Sequence, residues 1–65
     1  MKGIVTAFDD ARGLGELADH DGTTYAFHCT AIADGTRTIA PGTAVWFEVV
    51  PGHMGRWEAT RLDPA

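Results

Sequence analysis

The chain has few of the features that mark a small secreted or membrane protein. Its one cysteine, Cys29, cannot form an internal disulfide, so the sequence indicates neither a disulfide framework nor an oxidising compartment. No apolar run, including the segment from Met1 to Val5, is long enough for a signal peptide or a membrane span. We therefore expect a cytoplasmic protein.

Basic residues are also scarce. Nine acidic residues outnumber five lysines and arginines, which gives a formal net charge of −4. Proteins that bind nucleic acid usually carry a surplus of basic side chains that neutralises phosphates. The front of the chain is the most acidic part, so its long-range field repels a polyanion. This part has only two basic residues, Lys2 and Arg12, against the acidic residues Asp9, Asp10, Glu16, Asp19 and Asp21.

The sequence offers little for catalysis or metal binding. It contains no phosphate loop, dinucleotide fingerprint or calcium loop. His28 and Cys29 are adjacent, so on a strand they point to opposite faces and cannot share a metal ion or act as a nucleophile pair. Asp9 and Asp10 are typical turn formers. We expect a single domain over residues 1–65 that is not an enzyme and needs no metal or cofactor.

Runs rich in β-branched and aromatic residues lie between eight glycines and three prolines. They predict five strands and no long helix, with one helical turn near Thr30 to Ile32. Short strands without helices cannot bury two flat faces, so we expect them to close into a small barrel. The predicted strands run from about Gly3 to Phe8, Leu14 to Asp19, Thr23 to Cys29, Ala44 to Val50 and Arg56 to Leu62.

Alternation along these strands separates an inward face from an outward face. The inward positions are mostly large and apolar, as a barrel interior requires. The predicted core consists of Val5, Leu17, Tyr25, Phe27, Ile32, Val45, Phe47, Val49 and Leu62.

Several short motifs occur in one order and at nearly gapless spacing. They are Lys2-Gly3 with Val5, then Arg12-Gly13-Leu14-Gly15, Phe27-His28, Arg37-Thr38-Ile39 and Val45-x-Phe47-Glu48-Val49. From Lys2 to about Leu62 this order resembles the bacterial cold-shock proteins. The resemblance implies an all-β, five-stranded antiparallel OB-fold barrel. It also implies binding of single-stranded RNA or DNA on the outward face of the first three strands.

The resemblance also implies roles for individual residues. Phe8 and His28 would stack on bases, Leu14 would lie on the same face, and Arg12, Arg37 and Lys2 would contact phosphates. Aromatic residues that the family carries on this face are replaced here by Ala7, Leu14, Glu16, Ala26 and Cys29. Stacking on an aromatic side chain is worth about 1–3 kcal/mol per base, so we expect weak binding.

Two other functions remain open at this point. Trp46, Trp57, Arg56 and Met54 form a candidate protein-interaction patch, because exposed tryptophan with arginine is typical of interfaces. The barrel would then be a protein-interaction module. A small-ligand or sugar site is a weaker alternative, since OB-folds also bind oligosaccharides. The sequence does not decide between a monomer and a homodimer.

Overall fold

Five strands and one short helical turn make up the computed structural model, which describes residues 1–33, 35–52 and 55–65. Each strand end lies within two residues of its predicted position. The strands are β1 (Lys2–Asp9), β2 (Leu14–Asp19), β3 (Thr24–His28), β4 (Ala44–Pro51) and β5 (Trp57–Pro64), and a 3₁₀ turn spans Cys29–Ala31.

The strands close into a barrel in the order β1-β2-β3-β5-β4. The first three strands form an antiparallel meander, and β4 pairs antiparallel with both β1 and β5. The remaining contact, between β3 and β5, is parallel and has a single paired register, Ala26 with Glu58. The predicted all-β OB-fold barrel is therefore confirmed, with one short parallel contact that completes it.

Aspartate side chains organise the two hairpin turns at the start of the chain. The Asp9 carboxylate accepts hydrogen bonds from the backbone N–H groups of Ala11 and Arg12, at 3.0 and 3.2 Å. The Asp19 carboxylate does the same for Asp21 and Thr23, at 2.9 and 3.0 Å. Side-chain capping of this kind takes the place of water as the hydrogen-bond partner of the turn N–H groups, and it fixes where each strand ends.

The buried core matches most of the predicted one, with two corrections. Tyr25 and Val49 are only partly buried and pack at its margin, while Ala59 is buried although the alternation did not predict it. Ala59 points inward because β5 contains a β-bulge, where Arg61 adopts a φ of 55° and the register with β4 shifts. The buried residues are Val5, Leu17, Phe27, Ile32, Val45, Phe47, Ala59 and Leu62.

Among the described residues, no helix has the length and apolar character needed to cross a membrane.

Candidate functional site

The outward face of the meander carries two rows of side chains that the strand registers define. The first, which we name the end row, contains Asp9, Leu14 and His28, because Leu14 pairs with both of the others. All three are exposed, and Leu14 keeps 39% of its surface accessible. The end row therefore presents one imidazole ring and one aliphatic side chain to solvent, beside the Asp9 carboxylate.

The second row, which we name the middle row, contains Ala7, Glu16 and Ala26. All three are exposed. The row has no ring on which a base could stack, and the alanine methyl groups leave the Glu16 side chain prominent at its centre. Among the described residues, Glu16 takes part in none of the ion pairs. The middle of the face is thus flat and negatively charged.

Phe8 lies on the inward side of β1, at the margin of the core. It pairs with Gly15, which in turn pairs with Phe27, and the two phenyl rings stack across the glycine with centroids 6.0 Å apart and an interplanar angle of 16°. A Cβ on Gly15 would lie 2.8 Å from Phe8 Cδ1, so only glycine permits this contact. Phe8 is half-buried, and only part of its ring is open to a ligand.

Two arginines stand in exposed loops on the side of the barrel that carries the end row. Arg12 lies in the β1–β2 turn with its Nε 4.0 Å from Asp9 Oδ2, an exposed pair worth at most about 1 kcal/mol. Arg37 precedes Thr38, whose hydroxyl donates a hydrogen bond to Asp10 Oδ1 at 2.8 Å. This bond ties the long β3–β4 connection to the β1–β2 turn. It therefore brings the two loops that carry the arginines to the same end of the meander.

Lys2 does not join this group. Its Nζ lies 5.6 Å from the ring centroid of Trp46, a distance at which a cation–π interaction forms. It stands at the other end of β1 from Phe8, and six residues of strand correspond to about 20 Å. The structure thus brings together Phe8, Arg12, Leu14, His28 and Arg37 of the predicted nucleic-acid site, and leaves Lys2 apart.

The two tryptophans of the predicted protein-interaction patch are also separated. Trp46 pairs with Asp63 near the end of β5, whereas Trp57 is the first residue of β5 and pairs with Pro51. The six residues between these registers correspond to about 20 Å of strand. Both indoles are exposed, by 52% and 57%, but they do not form one patch. Met54 lies outside the described residues.

Trp57 and Arg56 instead line a groove between β3 and β5, which we name the β3–β5 groove. Its volume is about 700 Å³, and its walls include Glu16, Tyr25, Ala26, Arg56, Trp57 and Glu58. Sequence reasoning did not find this groove. It depends on the parallel β3–β5 contact, which brings together residues that no local pattern connects.

Metal binding has no support in the part of the chain that the structure describes. There, no three histidine, cysteine, aspartate or glutamate side chains form a group that could hold an ion.

A scan against protein-family models finds no match. Curated relatives do match. The cold shock-like protein CspE of Buchnera aphidicola subsp. Acyrthosiphon pisum is 37% identical over 57 residues, which cover 85% of this chain and 83% of the relative. The CspE proteins of Escherichia coli K12 and Shigella flexneri show the same identity and the same coverage.

Proposed function

We propose, because this chain belongs to the cold-shock protein family, that it binds single-stranded RNA or DNA on the outward face of β1 to β3. The observation that carries the proposal is the grouping, at one end of the meander, of an exposed ring, a half-buried ring and two loops that each carry a cation. His28 lies in the end row, Phe8 lies one register away on the inward side, and the bond from Thr38 to Asp10 joins the loops of Arg12 and Arg37. Single-stranded nucleic acid needs this pairing of stacking surfaces with cations.

In the proposed complex, the bases lie over the end row. The exposed imidazole of His28 stacks on one base, and the open part of the Phe8 ring contacts a neighbouring one. Leu14 lies beside His28 in the end row and supplies apolar contact area. Arg12 and Arg37 reach the phosphates from their loops, where their exposure lets them follow a flexible strand. The glycine beneath Phe8 allows its ring to keep a fixed orientation against Phe27.

The proposal also states that binding is weak. Each base that stacks on an aromatic side chain contributes about 1–3 kcal/mol, and the middle row offers no ring for this purpose. Glu16 adds a cost, because a carboxylate near phosphates is repelled by them and must be partly desolvated. The net charge of −4 acts in the same direction at low salt.

The proposal is tested with a fluorescently labelled oligo-dT and a labelled mixed-sequence RNA, whose anisotropy is followed as the protein is added. His28→Ala removes the exposed ring without touching the core, and we expect roughly fivefold weaker binding, the lower end of the stacking range. Phe8→Leu keeps an apolar side chain against Phe27 while removing the second ring, and it should weaken binding further. The matched control is His20→Ala, since His20 is also exposed but lies in the β2–β3 turn.

Two results would contradict the proposal. One is the absence of saturable, salt-sensitive binding for both oligonucleotides. The other is equal weakening by His28→Ala and His20→Ala, which would mean that the end row has no special role.

A further inference from the structure

The β3–β5 groove exists because its two strands hardly pair. Ala26 and Glu58 are the one paired register, and the strands run parallel from there. The residues that precede them, from Thr23 on one side and from Arg56 on the other, line the groove but form no register with each other. An unpaired stretch of strand edge offers backbone hydrogen-bonding groups to an extended segment of another chain.

Aromatic side chains form part of the groove wall. Tyr25 is half-buried and held by Phe47, with ring centroids 5.6 Å apart and planes tilted by 52°. Trp57 stands at the start of β5 and keeps 57% of its surface exposed. An exposed indole face attracts a cation, and the attraction is stronger when the site is desolvated.

Two carboxylates flank the floor of the groove. Glu16, Ala26 and Glu58 occupy one row across three neighbouring strands, so the two glutamate Cα atoms stand about 10 Å apart with only a methyl group between them. Glu58 is half-buried and lies over Gly52, where an added Cβ would meet its Oε2 at 2.7 Å. Glu58 is thereby held in position, whereas Glu16 is exposed and has no ion-pair partner among the described residues.

The chemistry of this lining selects its ligand. Among the described residues that line the groove there is one cation, Arg56, against the two carboxylates of Glu16 and Glu58, so this lining carries an excess of negative charge; the whole chain carries −4. A guanidinium group is planar, stacks on an indole and donates paired hydrogen bonds to a carboxylate. We infer that the β3–β5 groove binds an arginine side chain carried by an extended segment of a partner protein. In this complex the guanidinium stacks on Trp57 and donates to Glu16, while the segment runs along the free edge of β3.

This surface is distinct from the end row, and the inference does not rest on the proposed nucleic-acid binding. The two interactions respond in opposite directions to one substitution. Glu16→Gln removes a carboxylate that repels phosphates and that attracts arginine. The same variant should therefore bind oligonucleotides more tightly and arginine peptides more weakly.

The test follows the fluorescence of Trp57 in a Trp46→Phe background, where it is the only indole. The probe is a capped peptide of alternating glycine and arginine, and its control has citrulline, a neutral isostere, in place of arginine. We expect a saturable change with the arginine peptide alone. Glu16→Gln should weaken this binding by about three- to tenfold, the range for the net contribution of one ordinary hydrogen bond. Asp63→Asn removes an equal charge at the far end of β5 and should leave it unchanged.

Calorimetric titration of the unsubstituted chain with both peptides gives the same comparison without relying on the tryptophan background. Equal binding of the arginine and citrulline peptides, or no binding of either, would overturn the inference. So would equal effects of Glu16→Gln and Asp63→Asn. If the oligonucleotide rather than the peptide changes the fluorescence of Trp57, the groove is an extension of the nucleic-acid face, and the inference is wrong.

Discussion

Installing two aromatic rings on the middle row should convert a weak nucleic-acid binder into a stronger one. Glu16 and Ala26 are direct cross-strand partners on β2 and β3, and both are exposed. Phenylalanines at these positions would place their Cβ atoms about 4.5–5.5 Å apart, next to the end row. Their neighbours Leu17 and Phe27 point into the barrel, so the double variant Glu16→Phe/Ala26→Phe leaves every core residue in place.

The expected gain follows from the stacking energy. If the new ring pair accommodates one additional base, binding improves by about 1–3 kcal/mol, which is roughly 5- to 150-fold in affinity. Part of the change comes from removing the Glu16 charge, and Glu16→Gln measures that part alone. An exposed charge at this site should account for no more than a few-fold, because salt screens it. The difference between the two variants is the contribution of the rings.

The assay is the anisotropy titration with labelled oligo-dT, carried out on the original chain, Glu16→Gln and the double variant. Thermal unfolding by circular dichroism checks that all three are folded. A folded double variant that binds oligo-dT no more tightly than Glu16→Gln would refute the reasoning. It would show that the outward face of β2 and β3 is not where bases lie.

Three further predictions test the barrel and the cations. Leu17 is 0% exposed, so Leu17→Ala should lower the free energy of unfolding by about 2–5 kcal/mol in a denaturant titration. Leu14 is exposed, and Leu14→Ala should change this free energy by less than about 0.5 kcal/mol. Similar losses in the two variants would contradict the assignment of the core. Gly15→Ala should lower the free energy of unfolding by about 1–3 kcal/mol, because the added Cβ collides with two stacked phenyl rings. An unchanged melting temperature would show that the rings can separate freely. Arg12→Gln and Arg37→Gln should each reduce the slope of log affinity against log salt concentration by about 0.7 for a single-stranded oligonucleotide. An unaltered slope would show that the substituted arginine does not contact a phosphate.

Much of the barrel was predictable because its determinants are local. Strand positions follow from alternating residues bounded by glycine and aspartate, and the turn carboxylate of Asp9 caps its own loop. Ala59 was missed because the bulge at Arg61 interrupts the period of two that places Leu62 inward. A single left-handed residue in an exposed position has no sequence signature here, so Ala59 was not among the predicted core residues.

The candidate site was predictable only where family resemblance aligned the residues. Leu14 and His28 follow that alignment onto one end of the outward face, and Phe8 lies one register away on the inward side. The separation of Trp46 from Trp57 depends on the antiparallel β4–β5 register, and the β3–β5 groove depends on a parallel contact between segments far apart in the chain. Neither is encoded in a local pattern, so residues grouped by composition alone were not neighbours.

The most direct test of the central claim is a map of backbone amide chemical shifts, recorded as unlabelled oligo-dT is added to the isotopically labelled protein. The account predicts that the largest changes occur at Phe8, Leu14 and His28, with further changes at Arg12 and Arg37. Changes centred on Lys2 and Trp46 at the opposite end of β1, or changes spread evenly over the barrel, would contradict it.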